Sequence, residues 1–302
     1  MVSKKSPKVV SKISAAVLPL TIFGMEADRE VIFSDHRGNH RPAIEKRQRK
    51  LIAKSAFVKF FLKSEERLRC LTTGYSPVRL MEKIFAGPAL PFFKRAIFIF
   101  TDRRILHIPT RFNGTPHSTV SQIAYADCAA IELKGHTLSI RYKNGRIENF
   151  SSIGRPERKR LKSILTKLTL PPKEANRVEQ RIHLCPSCGN PLKGDSGLCL
   201  ACKLRFKTKS QALLRAILIP GGGYFFSHHN FFGTVIAVLE SILFVATAVM
   251  WSSYLTGQPV AWEWLSGPVA AIILIKWIAA YHAKMLIADR MPSAAHFVPH
   301  KV

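Results

Sequence analysis

Between residues 231 and 281 the chain carries only three charged side chains, Glu240, Glu263 and Lys276. A water-facing surface needs more charge than that, so this part must form helices buried in protein or in a membrane. Residues 231–254 number 24 with one charge. That is long enough to cross a hydrocarbon core of about 30 Å as a helix. A second apolar run occupies 260–281. Trp251, Tyr254, Trp262 and Trp264 cluster near the connection between the runs, and Trp277 and Tyr281 lie at the opposite end. Aromatic belts on a transmembrane hairpin are distributed in this way. The connecting residues 255–266 hold no Lys or Arg, whereas Lys203, Arg205, Lys207, Lys209 and Arg215 precede the hairpin and Lys284, Arg290 and Lys301 follow it. By the positive-inside rule both termini are expected in the cytoplasm. A buried helical hairpin of a soluble protein is the alternative.

Ionisable residues inside a membrane invite a functional reading, so Glu240 and Lys276 stand out as partners or as part of a proton path. The simpler expectation is that Lys276, beside Trp277, snorkels to the inner interface and that Glu240 faces the partner helix. Upstream, residues 213–226 contain Pro220 followed by Gly221, Gly222 and Gly223, a combination that breaks helices. The stretch is expected to be a short amphipathic or re-entrant element that turns into the first span. Pro-Gly-x-Gly with aromatics behind it resembles small bacterial two-helix membrane modules, with His228 in place of a glycine. That likeness implies a bacterial inner (plasma) membrane. His228 and His229 make a poor metal pair by themselves and are expected at the surface or facing headgroups.

The remainder has the opposite character. Of a net charge of +27, +26 falls on residues 1–215, which hold 42 basic and 16 acidic residues. A hydrophobic content of 47% excludes a disordered basic tail. So much positive charge calls for an anionic partner, either nucleic acid or an anionic leaflet. Lys4, Lys5, Lys8 and Lys12 before an apolar run at 13–25 imitate a secretory signal. Pro19 interrupts that run and no small-x-small cleavage site follows, so an uncleaved segment that grazes the membrane is expected. Six cysteines in 302 residues do not make a disulfide scaffold, and Cys70 and Cys128 read as buried thiols.

Composition divides the chain into a basic N-terminal region (1–63), an α+β domain (64–170), a linker (171–183), a cysteine-rich segment (184–207), a membrane module (210–290) and a tail (291–302). The first region has net charge +9 and a basic helix with aromatics near 42–62. Such a helix either lies on anionic lipid or packs on the next domain. In the second, short strands are expected at 97–100, 104–108, 137–142 and 146–150, with Asn144-Gly145 as a tight hairpin turn. A helix over 155–168 follows, opened by Pro156 and stopped by Pro171-Pro172. The order suggests a small barrel or sandwich with one closing helix.

The run FTDRRILHI at 100–108, a polar insertion, SQIAYADCAAIEL at 121–133, two strands and a helix together resemble bacterial pleckstrin-homology-like and GRAM-type domains. The Thr101-Asp102-Arg103-Arg104 turn carries most of the likeness, and Asp127-Cys128 stands where such domains have Asp-Ile. The resemblance implies a scaffold that in some relatives contacts lipid or protein, and it implies no chemistry. The domain has net charge +11. Lys94, Arg95, Arg103 and Arg104 near one hairpin and Arg158, Lys159 and Arg160 on the closing helix are the candidate contacts to lipid or to a partner.

Cys185-x2-Cys188, ten residues, then Cys199-x2-Cys202 places four thiolates on two tight turns, the pattern of a zinc ribbon. A segment this short cannot bury a core, so a metal must drive its folding. Zn(II) is the expected ion, and iron is the alternative because the ligands alone do not exclude it. No Walker or dinucleotide glycine loop, His-Glu-x-x-His or Gly-x-Ser-x-Gly occurs, and His107, His117 and His183 are isolated, so no enzymatic activity is expected. The expected fold class is multidomain α+β plus membrane helices: a PH-like small barrel with a closing helix, a zinc ribbon and a C-terminal transmembrane hairpin. The leading functional expectation is a membrane-anchored cytoplasmic adaptor or scaffold that binds anionic lipid or a protein partner. A membrane-tethered nucleic-acid-binding protein and a small subunit of a membrane transport complex are the alternatives.

Overall fold

The computed structural model describes residues 20–87, 90–111, 113–172, 178–192, 194, 197–257, 262–287 and 290–293. Most of the N-terminal apolar run, part of the linker, the connection at 258–261 and the end of the tail lie outside the described residues.

Strands β1 (Leu20–Ile22), β2 (Met25–Ala27), β3 (Leu68–Tyr75), β4 (Arg95–Thr101), β5 (Arg104–Pro109), β6 (Val120–Ala124) and β10 (Ile182–Leu184) form one sheet in the order β1-β2-β3-β4-β5-β6-β10. All neighbours are antiparallel except β2 and β3, which meet in parallel at Ala27 and Leu68. β7 (Cys128–Lys134), β8 (Thr137–Tyr142) and β9 (Ile147–Phe150) make a second sheet. The barrel anticipated for 64–170 is therefore not closed. β3–β6 and β7–β9 stay in separate sheets, and a bridge between Tyr75 and Ser151 ties one corner.

Period-2 alternation explains why β4 is buried on both faces. Ile97 and Ile99 point into a core shared with residues 20–62, whereas Phe98 and Phe100 point into a core shared with the second sheet. Helices α1 (Arg29–Ile32) and α2 (Pro42–Lys54) cover the first face. Gln48 of α2 clamps β3, accepting from Leu71 N–H at 2.9 Å and donating to its carbonyl at 2.8 Å. The single helix expected over 42–62 stops at Lys54, because the Ser55 hydroxyl bonds back to Leu51 O at 2.8 Å and a 3-10 turn (Ala56–Phe61) takes over. The hairpin at Asn144-Gly145 is present, with Gly145 at φ +83° and its N–H bonded to Tyr142 O.

Between β3 and β4 the chain makes two short helices, α3 (Leu80–Ala86) and α4 (Leu90–Phe93). After β9, α5 (Arg158–Thr166) closes over β7 with Leu161, Ile164 and Leu165. Phe93 joins the two halves, its ring 4.9 Å from Phe232 and 6.2 Å from Tyr224. The C-terminal part comprises α6 (Lys209–Leu218), α7 (Gly222–Phe226), α8 (Asn230–Leu255) and α9 (Trp262–Leu286). α8, and α9 over Ser266–Leu286, are long and apolar enough to cross a membrane, with mean hydropathies of 2.1 and 1.5. Their most apolar windows are 11% and 28% buried, so the described residues leave most of that surface uncovered. The Pro220-Gly221 break is steric as well as conformational: Gly221 sits at φ +63°, and a Cβ there would lie 2.2 Å from Gly233 O on α8.

Candidate metal centre and basic surfaces

Two tight turns bring the four cysteines together. In the first, Gly189 N–H donates to Cys185 O at 2.8 Å and Cys185 N–H to Asn190 O at 2.8 Å. The second repeats it, with Lys203 N–H on Cys199 O at 2.9 Å and Cys199 N–H on Leu204 O at 2.8 Å. Both turns use left-handed backbone after the second cysteine, at Gly189 (φ +70°) and Lys203 (φ +61°). Glycine adopts this conformation freely, whereas a lysine there is strained by about 1 kcal/mol.

The Sγ atoms of Cys185 and Cys202 are 3.5 Å apart, those of Cys188 and Cys199 3.7 Å, and all four lie within 4.8 Å of one another. A disulfide requires about 2 Å. Four ligands about 2.3 Å from a tetrahedral centre stand about 3.8 Å apart, so the cluster fits a metal ion. Leu192 and Phe206 pack beside the ligands in a miniature core. Burial pushes the thiols of Cys185 and Cys188 up. At Cys202 burial acts in the same direction, but the Leu204 N–H and the neighbouring cysteines outweigh it and hold the thiol at about 7.

The cysteine segment is held on both sides. β10 enters it from the edge of the large sheet, where Leu184 pairs with Val120. On leaving, Lys207 N–H donates to Met291 O at 2.8 Å and Ser293 N–H to Arg205 O at 2.9 Å, so the chain beyond α9 returns to it. The Lys207 ammonium reaches Phe226 O and lies 2.9 Å from His228 Nε2. His229, expected to face headgroups, is instead buried against Phe93 and His117. Burial first, and nearby cationic groups second, hold its imidazole down to about 4.

The seven candidate cations separate by burial. Arg95, Arg103 and Lys159 are exposed, and Arg158 is half-buried with Nε on Ile153 O at 2.8 Å. Lys94 is buried and pairs with Glu82 at 3.2 Å. Arg160 is buried, with Nη1 on Ile32 O and Nη2 on Cys70 Sγ. Arg104 forks onto Glu66, Nε to Oε1 at 2.9 Å and Nη2 to Oε2 at 2.7 Å, and also reaches Phe61 O and Gln122. Lys94, Arg104 and Arg160 thus use their charge inside the fold. Sequence reading missed Glu66 as a partner because it lies 38 residues from Arg104.

Thr101 completes this network. Its hydroxyl accepts the N–H groups of Arg103 and Arg104 and donates to Glu66 Oε1 at 2.8 Å. Burial pushes the Glu66 carboxyl up, but Arg104, the Lys63 N–H and Thr101 outweigh it and leave it below the usual carboxylate range. Its contribution to stability is therefore present above about pH 4.3 and is lost as pH falls through the folded value. Arg104→Met should destabilise the sheet by about 3–5 kcal/mol, because it leaves a buried carboxylate unpaired. Hydrogen exchange of the β3–β5 amides reads this out, and unchanged protection would refute it.

Glu240 and Lys276 meet within the helical part. Lys276 Nζ lies 2.9 Å from Glu240 Oε2, and Gly221 N–H donates to the same carboxylate oxygen at 3.3 Å. The ammonium also donates to Ala216 O at 3.2 Å and Ile219 O at 3.3 Å, near the C-terminal end of α6. Lys276 thus turns toward Glu240 and the end of α6. The chain matches no protein-family model, no curated protein and no solved structure.

Proposed function

We propose that the protein is a membrane-anchored, cytoplasm-facing adaptor that presents a basic α+β body to an anionic leaflet or to a protein partner. The observation that carries this reading is the join. A body that holds most of the surplus positive charge is fixed through the cysteine segment, α6 and Phe93 to two apolar helices whose surface the described residues leave mostly exposed. In this reading α8 and α9 span the membrane with both termini cytoplasmic, in accord with the basic residues on either side. Strands β3–β6, strands β7–β9 and α5, in that chain order, support a PH-like scaffold, and the four cysteines a zinc ribbon. Zn(II) bound there would be structural, since all four ligand positions are thiolates and none is left open for substrate. The cation positions suited to a membrane surface are Arg95, Arg103 and Lys159.

The full chain in nanodiscs tests the lipid reading by hydrogen exchange. Protection of α5 and the β4–β5 turn should be stronger in anionic than in neutral discs and should fade as salt shortens the Debye length below about 10 Å. Saturable binding of duplex or single-stranded nucleic acid at physiological salt, without an anionic-lipid effect, would favour the nucleic-acid reading instead. For topology, a cysteine placed at Gln258 should react with an impermeant reagent in intact cells and one at Ser293 should not. The reverse pattern would overturn the orientation.

A further inference from the structure

A pocket of about 320 Å³ lies between α2 and the face of β3, β4 and β5 turned away from the second sheet. Four cations line it, Arg47, Lys50 and Lys54 from α2 and Arg95 from the start of β4. Among the described lining residues none is acidic. Arg47 has a counterion in Glu157 at 2.5 Å, which leaves Lys50, Lys54 and Arg95 to set the charge of the space. Like charges gathered without carboxylates repel one another, and an anion placed among them relieves that repulsion.

Two threonines supply hydroxyls. Thr73 lines the wall, and Thr110 is buried with an Oγ1 that has no hydrogen-bond partner among the described residues. A buried hydroxyl without a partner costs about 1–3 kcal/mol, so an acceptor at this point is favourable. The backbone fixes its position: Thr110 N–H donates to Arg95 O at 2.8 Å, holding the ends of β4 and β5 level. The loop that follows turns through Gly114 at φ +73°, where a Cβ would stand 3.3 Å from Lys54 Nζ. The volume is near the lower end of ligand pockets, about 300–1,000 Å³, and suits a phosphate with a small organic substituent.

We propose that this pocket binds a phosphate ester, with Lys50, Lys54 and Arg95 pairing with the phosphate oxygens and Thr110 donating to one of them. The proposal is independent of the bilayer reading, since a phosphate reaches the pocket either on a lipid headgroup or on a soluble compound.

Calorimetry on the full chain in detergent, with glycerol 3-phosphate as probe, examines the soluble source. Native mass spectrometry of lipids retained from mixed phosphatidic acid and phosphatidylcholine nanodiscs examines the lipid source. Lys50→Gln/Lys54→Gln changes two exposed side chains. It should weaken binding at least tenfold, on the scale of one charge-assisted hydrogen bond. Thr110→Val, which keeps the volume, should weaken it several-fold. Lys134→Gln/Arg141→Gln removes two exposed cations of the second sheet and should change binding less than twofold. Tight glycerol 3-phosphate binding with this variant pattern assigns the pocket to soluble esters. Selective retention of phosphatidic acid with the same pattern, and no response to glycerol 3-phosphate, assigns it to a lipid headgroup. Equal losses in the Lys50/Lys54 and Lys134/Arg141 variants would reduce the effect to general surface charge and overturn the pocket. Absence of binding by the unaltered protein in both arms overturns it as well, and does so whatever hydrogen exchange shows for α5.

Discussion

Cys185→Ser is expected to take the metal content of the purified chain, zinc in the proposed reading, from about one equivalent to none and to unfold the cysteine segment locally. Binding of structural zinc to peptides of this kind is worth about 10–16 kcal/mol near neutral pH, far more than a four-residue core around Leu192 and Phe206 can supply. Loss of one of four thiolates opens the site to water and removes much of that energy. The unfolding should extend to β10, a strand of three residues that pairs with β6 and runs directly into the first cysteine turn. Elemental analysis under reducing conditions gives the stoichiometry, and exchange of the β10 amides gives the extent. A variant that keeps full zinc, or an unaltered protein that contains none, would refute the assignment.

Lys276→Met should be the most damaging single change in the helical part, at about 3–5 kcal/mol. A lysine ammonium has three donors, and here all three meet an acceptor: Glu240, Ala216 O and Ile219 O. Removing it leaves Glu240 with only the Gly221 N–H, and Glu240 Oε1 already has no hydrogen-bond partner among the described residues. The double change Lys276→Met/Glu240→Met should recover much of the loss, since both charges then vanish together. Thermal unfolding of the three variants in one detergent measures the coupling. If the double variant is as unstable as the sum of the singles, the pair contributes nothing as a pair.

The four-cysteine cluster and the two long helices were legible because each rests on a local pattern: cysteine spacing in one case, length and lack of charge in the other. The strands at 97–100, 104–108, 137–142 and 146–150 were legible for the same reason. β3 was not, since LRCLTTGY is buried on both faces at Cys70–Leu71–Thr72 and shows no alternation to mark it as a strand. β10 was hidden by its length of three residues, directly before the first cysteine. The candidate cations illustrate a different limit. Arg103 and Arg104 are neighbours in sequence, yet one is exposed and the other forks onto a buried carboxylate, a distinction that depends on Glu66 from another strand connection. For Glu240 and Lys276, isolation in apolar helices marked them as unusual, but only the fold shows that the break at Gly221 lets α6 lie close enough to share the lysine.

The return of Met291 and Ser293 to Arg205 and Lys207 also orders events in time. The two partners are separated in the chain by both long helices, so a ribosome finishes the first strand of this pairing well before the second exists. Until α9 has been made and brought back, the cysteine segment has the sheet on one side and the Lys207 contacts to Phe226 and His228, but lacks these two backbone partners. Closure of those two hydrogen bonds is therefore a late step of biogenesis, and it seals the molecule only after the hairpin is complete.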